Sequence, residues 1–316
     1  MLLTLAYSGL SLSVVLDSTR VGRRFDGHGG LSAGASSRLL FDYDASTRSD
    51  ILDYLYKPFF GAALSICKVE IGGDVQSTNG AEASHMHTSK DLSLTRGYEW
   101  WLMAEAKQRN PDIVTYALSW GTPGWVGNGS YFTEDNIAYQ TAFVKGAKSQ
   151  YNVSIDYIGI WNERPWGNAD YVIKLRESLD AAGFVATEIV GSDGTGFAYD
   201  PKHIALLHSN KTFAEAEHIQ GGHYTCAHDA PEDFWTVKPE QSFWVNEDFS
   251  TLGGDWAAGG CWGRSLLQNF VKLNATSTIS WSTIWAVTDS WRYFGNGLMY
   301  AYEPWSGNYT VPPPIW

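Results

Sequence analysis

Tyr157-Ile158-Gly159-Ile160-Trp161-Asn162-Glu163 is an apolar, β-rich run that ends on two polar side chains, and Arg164-Pro165 then breaks regular structure. The same design returns as Ser242-Phe243-Trp244-Val245-Asn246-Glu247-Asp248, again an apolar strand closed by a carboxylate. Outward from these two runs, short apolar strands alternate with helical periodicity. Strands are expected over 24–30, 62–71, 113–120, 157–161, 187–191, 219–224, 242–245 and 278–286, and helices over 50–57, 97–109, 136–151, 170–182 and 262–272. Eight strands with helices between them predict an α/β fold, the closed (β/α)8 TIM barrel; an open doubly wound sheet is the alternative. The phosphate-binding Gly-x-Gly-x-x-Gly after a first strand is missing. Catalytic residues of such barrels sit at the C-terminal ends of strands. Counting along the chain puts Glu163 after the fourth strand and Glu247 after the seventh, so the two acids are expected at one mouth.

Two carboxyl groups at one mouth suit glycoside hydrolysis. One, protonated, releases the leaving oxygen; the other, ionised, attacks the anomeric carbon or activates water. Carboxyls about 5 to 5.5 Å apart retain the anomeric configuration, and those roughly 6.5 to 9.5 Å apart invert it. A neighbouring Glu247 carboxylate is expected to raise the pKa of Glu163, the acid that must start protonated.

Composition narrows the class. The 316 residues are 44% hydrophobic and 18% charged, enough to bury a sizeable core. A net charge of -12 repels phosphate backbones, which disfavours nucleic acid as a partner, and protonating the eight His would remove most of that excess in an acidic compartment. Fifteen Trp, 17 Tyr and 14 Phe supply flat faces that suit sugars. Asn-x-Ser/Thr sequons begin at Asn128, Asn152, Asn210, Asn274 and Asn308, more than the roughly two expected by chance, and favour the secretory route. Cys67, Cys226 and Cys261 allow at most one internal disulfide. Residues 1–24 form an N-terminal segment that reads as a weakly marked signal peptide or the start of a strand; 25–299 is the barrel; 300–316, with Glu303-Pro304-Trp305 and Val311-Pro312-Pro313-Pro314, reads as an exit towards another module. No later apolar run is long enough to span a bilayer.

The chain resembles the galactocerebrosidases, the retaining β-galactosidases of glycoside hydrolase family 59. The likeness is carried by Phe25-Asp26-Gly27, Ser37-Arg38-Leu39-Leu40, Lys68-Val69-Glu70-Ile71-Gly72-Gly73-Asp74, Ser84-His85-Met86-His87 and Arg96-Gly97-Tyr98-Glu99-Trp100-Trp101. It continues through Pro123-Gly124-Trp125, residues 156–164, Glu247-Asp248-Phe249-Ser250, Gly260-Cys261-Trp262-Gly263-Arg264 and Glu303-Pro304-Trp305-Ser306-Gly307. The resemblance implies Glu163 as proton donor and acceptor, Glu247 as nucleophile, and Asn162 as the hydrogen-bond partner of the sugar 2-hydroxyl. It also implies sugar-pocket roles for Thr78, Trp120, Trp281 and Tyr293, although the sequence around Tyr293 departs from the family pattern. The implied substrate is galactosylceramide or a related galactolipid, hydrolysed in the lysosome or outside the cell without cofactor or metal, with a saposin-type lipid-transfer partner. Family members continue into a β-sandwich and a lectin-like domain, so the chain is expected to be a fragment or catalytic-domain form; Cys261 matches a family cysteine whose disulfide partner lies in that further part. Two other readings remain open: a related retaining glycosidase of glucosylceramidase-like or xylanase-like type, and an inactive sugar-binding fragment.

Three weaker signals are set aside. Gly30-Leu31-Ser32-Ala33-Gly34 fits a nucleophile elbow but lacks the helix that should follow it. His85 and His87 lack a nearby third metal ligand. Lys107 to Arg109 suits a helix terminus better than a binding patch. His223-Tyr224 ends the sixth strand on the same rim as the glutamates, as an orienter of the nucleophile or as packed core.

Overall fold

Alternating patterns along the chain resolve into one closed ring of parallel strands. The computed structural model describes residues 2–7, 10–15, 17–77, 80–164, 168–195, 201–225, 242–249, 255–287 and 296–316. An antiparallel hairpin, β1 (Leu2–Tyr7) and β2 (Leu10–Val15), precedes the barrel. The barrel runs β3 (Gly27–Ser32), β4 (Ile66–Ile71), β5 (Val114–Ser119), β6 (Tyr157–Gly159), β7 (Glu188–Val190), β8 (Glu217–His223), β9 (Phe243–Asp248) and β10 (Ala275–Trp281), which closes on β3. The TIM-barrel expectation holds.

Helices α1 (Ala45–Tyr56), α2 (Glu99–Arg109), α3 (Glu134–Tyr151), α4 (Ala169–Ala181), α5 (Pro201–Ser209), α6 (Lys211–Ala216) and α7 (Trp256–Lys272) lie between successive strands. Their starts follow from local chemistry. Asp44, Thr133, Asn168, Asn210 and Asp255 each accept a backbone N–H of the first turn they precede. Helices α5 and α6 were not foreseen, and the last expected strand divides: β10 stops at Trp281, and β11 (Ile284–Val287) joins β12 (Met299–Tyr302) and β13 (Tyr309–Thr310) in a separate three-stranded sheet. The intervening Ser282 and Thr283 are buried, bonding to Asn296 and Leu31 carbonyls, so the run shows no exposed turn that would mark the break.

Strand parity then places the chemistry. On β4, Ile66 joins the barrel-interior cluster of Leu31, Tyr116, Leu118, Trp244 and Ile279, while Cys67, Val69 and Ile71 pack outward with the helices. Lys68 and Glu70 share the parity of Ile66, so β4 carries two charged side chains on its inner face.

Candidate active site

Glu163 lies four residues beyond the end of β6, and its backbone N–H bonds Asp193 O at 2.8 Å, while that of Asn162 bonds Ser119 O at 2.9 Å. Its φ is +48°, in the left-handed region that is costly for a side chain with a Cβ, by about 1–2 kcal/mol. Glu247 comes to the same mouth through a bulge. Gly222 pairs with Val245 but His223 pairs with Glu247, so β9 holds one extra residue there, and the register with β10 shifts at the same place. Strict alternation would send Asn246 and Glu247 to opposite faces. The extra residue lets Asn246 bond Asp193 at 2.9 Å inside the barrel while Glu247 faces His223.

His223, at the end of β8, sits between the acids: Nδ1 is 3.2 Å from Glu163 Oε1 and 3.6 Å from Glu247 Oε2, and Nε2 is 3.3 Å from Asp193 Oδ1. One carboxylate oxygen of Glu163, one of Glu247 and a ring nitrogen of His223 all lie within 4.8 Å of one another. Tyr224 donates its hydroxyl to Glu247 Oε1, and Thr195 donates to Glu163 Oε1 at 3.1 Å. Beneath them, Asp193 is a fully buried hub. Lys68 Nζ donates to it at 2.8 Å and Tyr116 at 2.6 Å, and Lys68 also donates to Asn246 O at 2.8 Å. Two glycines make room: a Cβ on Gly159 would stand 2.6 Å from Asp193 Oδ2, and one on Gly221 2.1 Å from Asn246 Nδ2.

Charge follows from these contacts. Burial alone would depress His223, but the Glu247 charge and the hydrogen bonds that the ring donates to Asp193 and Glu163 reverse that and carry it up to about 9. Burial pushes Asp193 up, and Lys68 with His223 more than offsets it, leaving the carboxyl below its ordinary value. Glu163 is also held low, chiefly by the His223 hydrogen bond, against the opposing effect of burial. This corrects the expectation that Glu247 would raise it: a protonated imidazole stands between the two acids. The trio also has the spacing of a metal site, with His223 Nδ1 turned to Glu163.

Of the expected sugar-pocket residues, Asn162 is nearly buried, and its amide oxygen has no hydrogen-bond partner among the described residues. Trp281 belongs to the interior cluster, edge-on to Trp285 at 5.9 Å, and half-buried Trp120 packs against that cluster. Thr78 and Tyr293 lie outside the described residues, as does Cys226; among the described residues Cys67 and Cys261 form no disulfide. Ser32 of the elbow pattern is fully buried and donates to Glu99, and His85 and His87 have separate partners, Tyr139 O and Asp74. Lys68, Asp193, Asn246 and Tyr116 were missed by sequence reasoning. Asp193 carried a usable signal, since it follows an apolar strand as Glu163 does, and Lys68 stands with Glu70 on the face that Ile66 turns into the barrel.

The glycosyl hydrolase family 59 model matches residues 25–316. A galactocerebrosidase of Danio rerio is 46% identical over 308 residues, spanning 96% of this chain and 45% of that protein. The Homo sapiens galactocerebrosidase is also 46% identical, over 96% of this chain and 44% of its own length. The chain thus spans less than half the length of these relatives. Among solved structures, SrfJ from Salmonella typhimurium superposes with a TM-score of 0.74 at 14% identity, covering 93% of this chain and 73% of that one, a likeness of fold.

Proposed function

The chain belongs to glycosyl hydrolase family 59, and from that membership and the geometry of the mouth we propose that it is a retaining exo-β-galactosidase acting on galactosylceramide and related galactolipids. The observation that carries this reading is the convergence of Glu163 and Glu247 on one mouth, one oxygen of each within 4.8 Å of the other, which with the family membership favours direct attack on carbon by the second carboxylate. In the first step a Glu247 oxygen bonds to the anomeric carbon as the bond to the leaving oxygen breaks, and Glu163 gives that oxygen its proton. In the second, Glu163 takes a proton from water, whose oxygen attacks the same carbon and frees Glu247; β-galactose is the product. Tyr224 holds the attacking carboxylate, and the unpartnered oxygen of Asn162 suits a sugar hydroxyl donor.

Protonation of Glu163 in the resting protein requires acid, because His223 donates to it. When Glu163 turns to a glycosidic oxygen it leaves that donor, and burial then raises its pKa towards the value a general acid needs. An acidic compartment, reached through the secretory route, fits both this requirement and the sequons. Asn128, Asn152, Asn274 and Asn308 are exposed and Asn210 is half-buried as the cap of α6. Among the described residues no helix is long and apolar enough to cross a membrane. An insoluble lipid substrate calls for a saposin-type carrier. The test compares β-galactoside and β-glucoside chromogenic substrates while NMR follows the first-formed anomer. Galactose preference with β-galactose appearing first is expected; glucose preference or α-galactose first would overturn the reading.

A further inference from the structure

On the flank of the barrel, between β4, α2 and α3, lies a second group of buried acids that the mouth does not use. Glu99 Oε1 accepts from Ser32 at 2.8 Å and Ser37 at 2.9 Å, Glu82 Oε1 accepts the Tyr98 N–H at 2.6 Å, and Glu70 Oε2 accepts the Gly34 N–H and the Ser77 hydroxyl, each at 2.6 Å. Glu82 and Glu99, with His85 and Trp100, line a cavity of about 10 Å³, room for one water. Each of these four residues is 2–3% exposed, and each has one buried polar atom with no hydrogen-bond partner among the described residues: Glu82 Oε2, Glu99 Oε2, His85 Nδ1 and Trp100 Nε1.

The four atoms fit one ligand by their chemistry. Trp100 Nε1–H can only donate. His85 Nε2 faces Tyr139 O at 3.1 Å and so carries the ring hydrogen, leaving Nδ1 to accept. A water needs two donors and two acceptors, and Trp100 and His85 supply one of each. The two carboxyls complete the set only if one is protonated and donates while the other accepts. We propose that Glu82, His85, Glu99 and Trp100 form an internal site for one water molecule and one shared proton, separate from the catalytic mouth.

Among the described residues no Lys or Arg side chain bonds Glu82 or Glu99 in place of the proton. Arg96, on the cavity wall, donates to Asp91 at 3.0 Å and Ser84 O at 3.2 Å. Glu70 faces Glu82 and Glu99 as a further acid, Tyr56 and Cys67 face Glu99 as neutral groups, and Asp74 and Tyr139 flank His85. Burial pushes Glu70 up to about 8; burial raises both Glu82 and Glu99, and the Glu82 charge raises Glu99 further, so Glu99 holds the shared proton well above the carboxylate range while Glu82 accepts. Burial takes His85 down to about 4, so it is neutral when the proton is bound. Acids whose folded values are raised favour the fold fully below their unfolded pKa, and that advantage disappears as pH climbs through 7 to 8. The site therefore stabilises the barrel in acid and weakens it at neutrality.

The full chain tests this directly. A crystal structure at about pH 5 should place one water within hydrogen-bond distance of all four atoms. The Tm should fall from about pH 5 to about pH 7.5, and Glu99→Gln or Glu82→Gln, which keep a donor without an ionisable proton, should lessen that fall by about 5 °C. The wild-type infrared spectrum should retain protonated-carboxyl C=O absorption at about pH 6, from Glu70 and from the shared proton, and Glu99→Gln should remove the second part of it, a reading that needs only one folded variant. Direct bonding among the four side chains with no water between them, an unchanged fall of Tm in both variants, or absence of that second part would each overturn the proposal.

Discussion

Two sets of buried acids occupy the same end of one barrel and are kept in opposite states. At the mouth, Asp193 and Glu163 are held low because Lys68 and His223 are hydrogen-bonded to them. Glu70, on the inner face of β4, and Glu82 and Glu99, on the flank, are pushed up because their partners are hydroxyls and backbone N–H groups, which are too few and too weak to offset burial. Lys68 and Glu70 stand two residues apart on the inner face of β4, so the division runs through a single strand. Asp193 is as deeply buried as the flank acids whereas the Glu163 side chain is 33% exposed, so it is at Asp193 that a cation in contact, and not depth, decides which acid stays charged.

The sharpest way to break this contrast is to delete one acid from each set. Glu247→Ala should lower kcat/KM by about 10⁴-fold or more, because the attacking group itself is gone, whereas Glu99→Gln should leave it within about threefold at acid pH. Comparable losses in both variants would erase the distinction. Glu163→Ala should cost about 10²–10⁴-fold on substrates with poor leaving groups and much less on those with good ones, as expected for loss of proton transfer; equal losses on both would contradict its role.

Removing a cation should make the mouth resemble the flank. Lys68→Met strips the fully buried Asp193 of its main partner and should destabilise the chain by about 3–5 kcal/mol in denaturant unfolding, with much of the loss recovered by adding Asp193→Asn. His223→Gln removes the charge that lowers Glu163. The Glu163 pKa then rises, and because activity on the basic side ends when this acid loses its proton, the basic limb of the kcat/KM profile should move up by about one pH unit. A limb that stays in place, or moves down, would show that His223 does not control that proton.

Much of the barrel was legible because strand and helix periods alternate without long interruptions, and because Glu163 and Glu247 each close an apolar run. Less could be read where tertiary packing overrides the local pattern. The division at Ser282–Thr283 has no Gly or Pro to mark it, and the bulge that turns Glu247 to the mouth depends on pairing with both β8 and β10. The protonation of Glu163 was misjudged for a related reason. Two acids at one rim imply mutual repulsion, but the imidazole that screens them comes from a third strand, and the lysine that anchors Asp193 from a fourth.

The most direct measurement uses a β-galactoside activated at its leaving group and bearing fluorine at C2, which slows breakdown of any glycosyl-enzyme more than its formation. Mass spectrometry of the treated protein should find one fluorogalactosyl unit, attached to the peptide that contains Glu247, with turnover lost in step. Steady hydrolysis with no adduct, or an adduct on any other side chain, would contradict the assignment of Glu247 as the group that attacks the sugar.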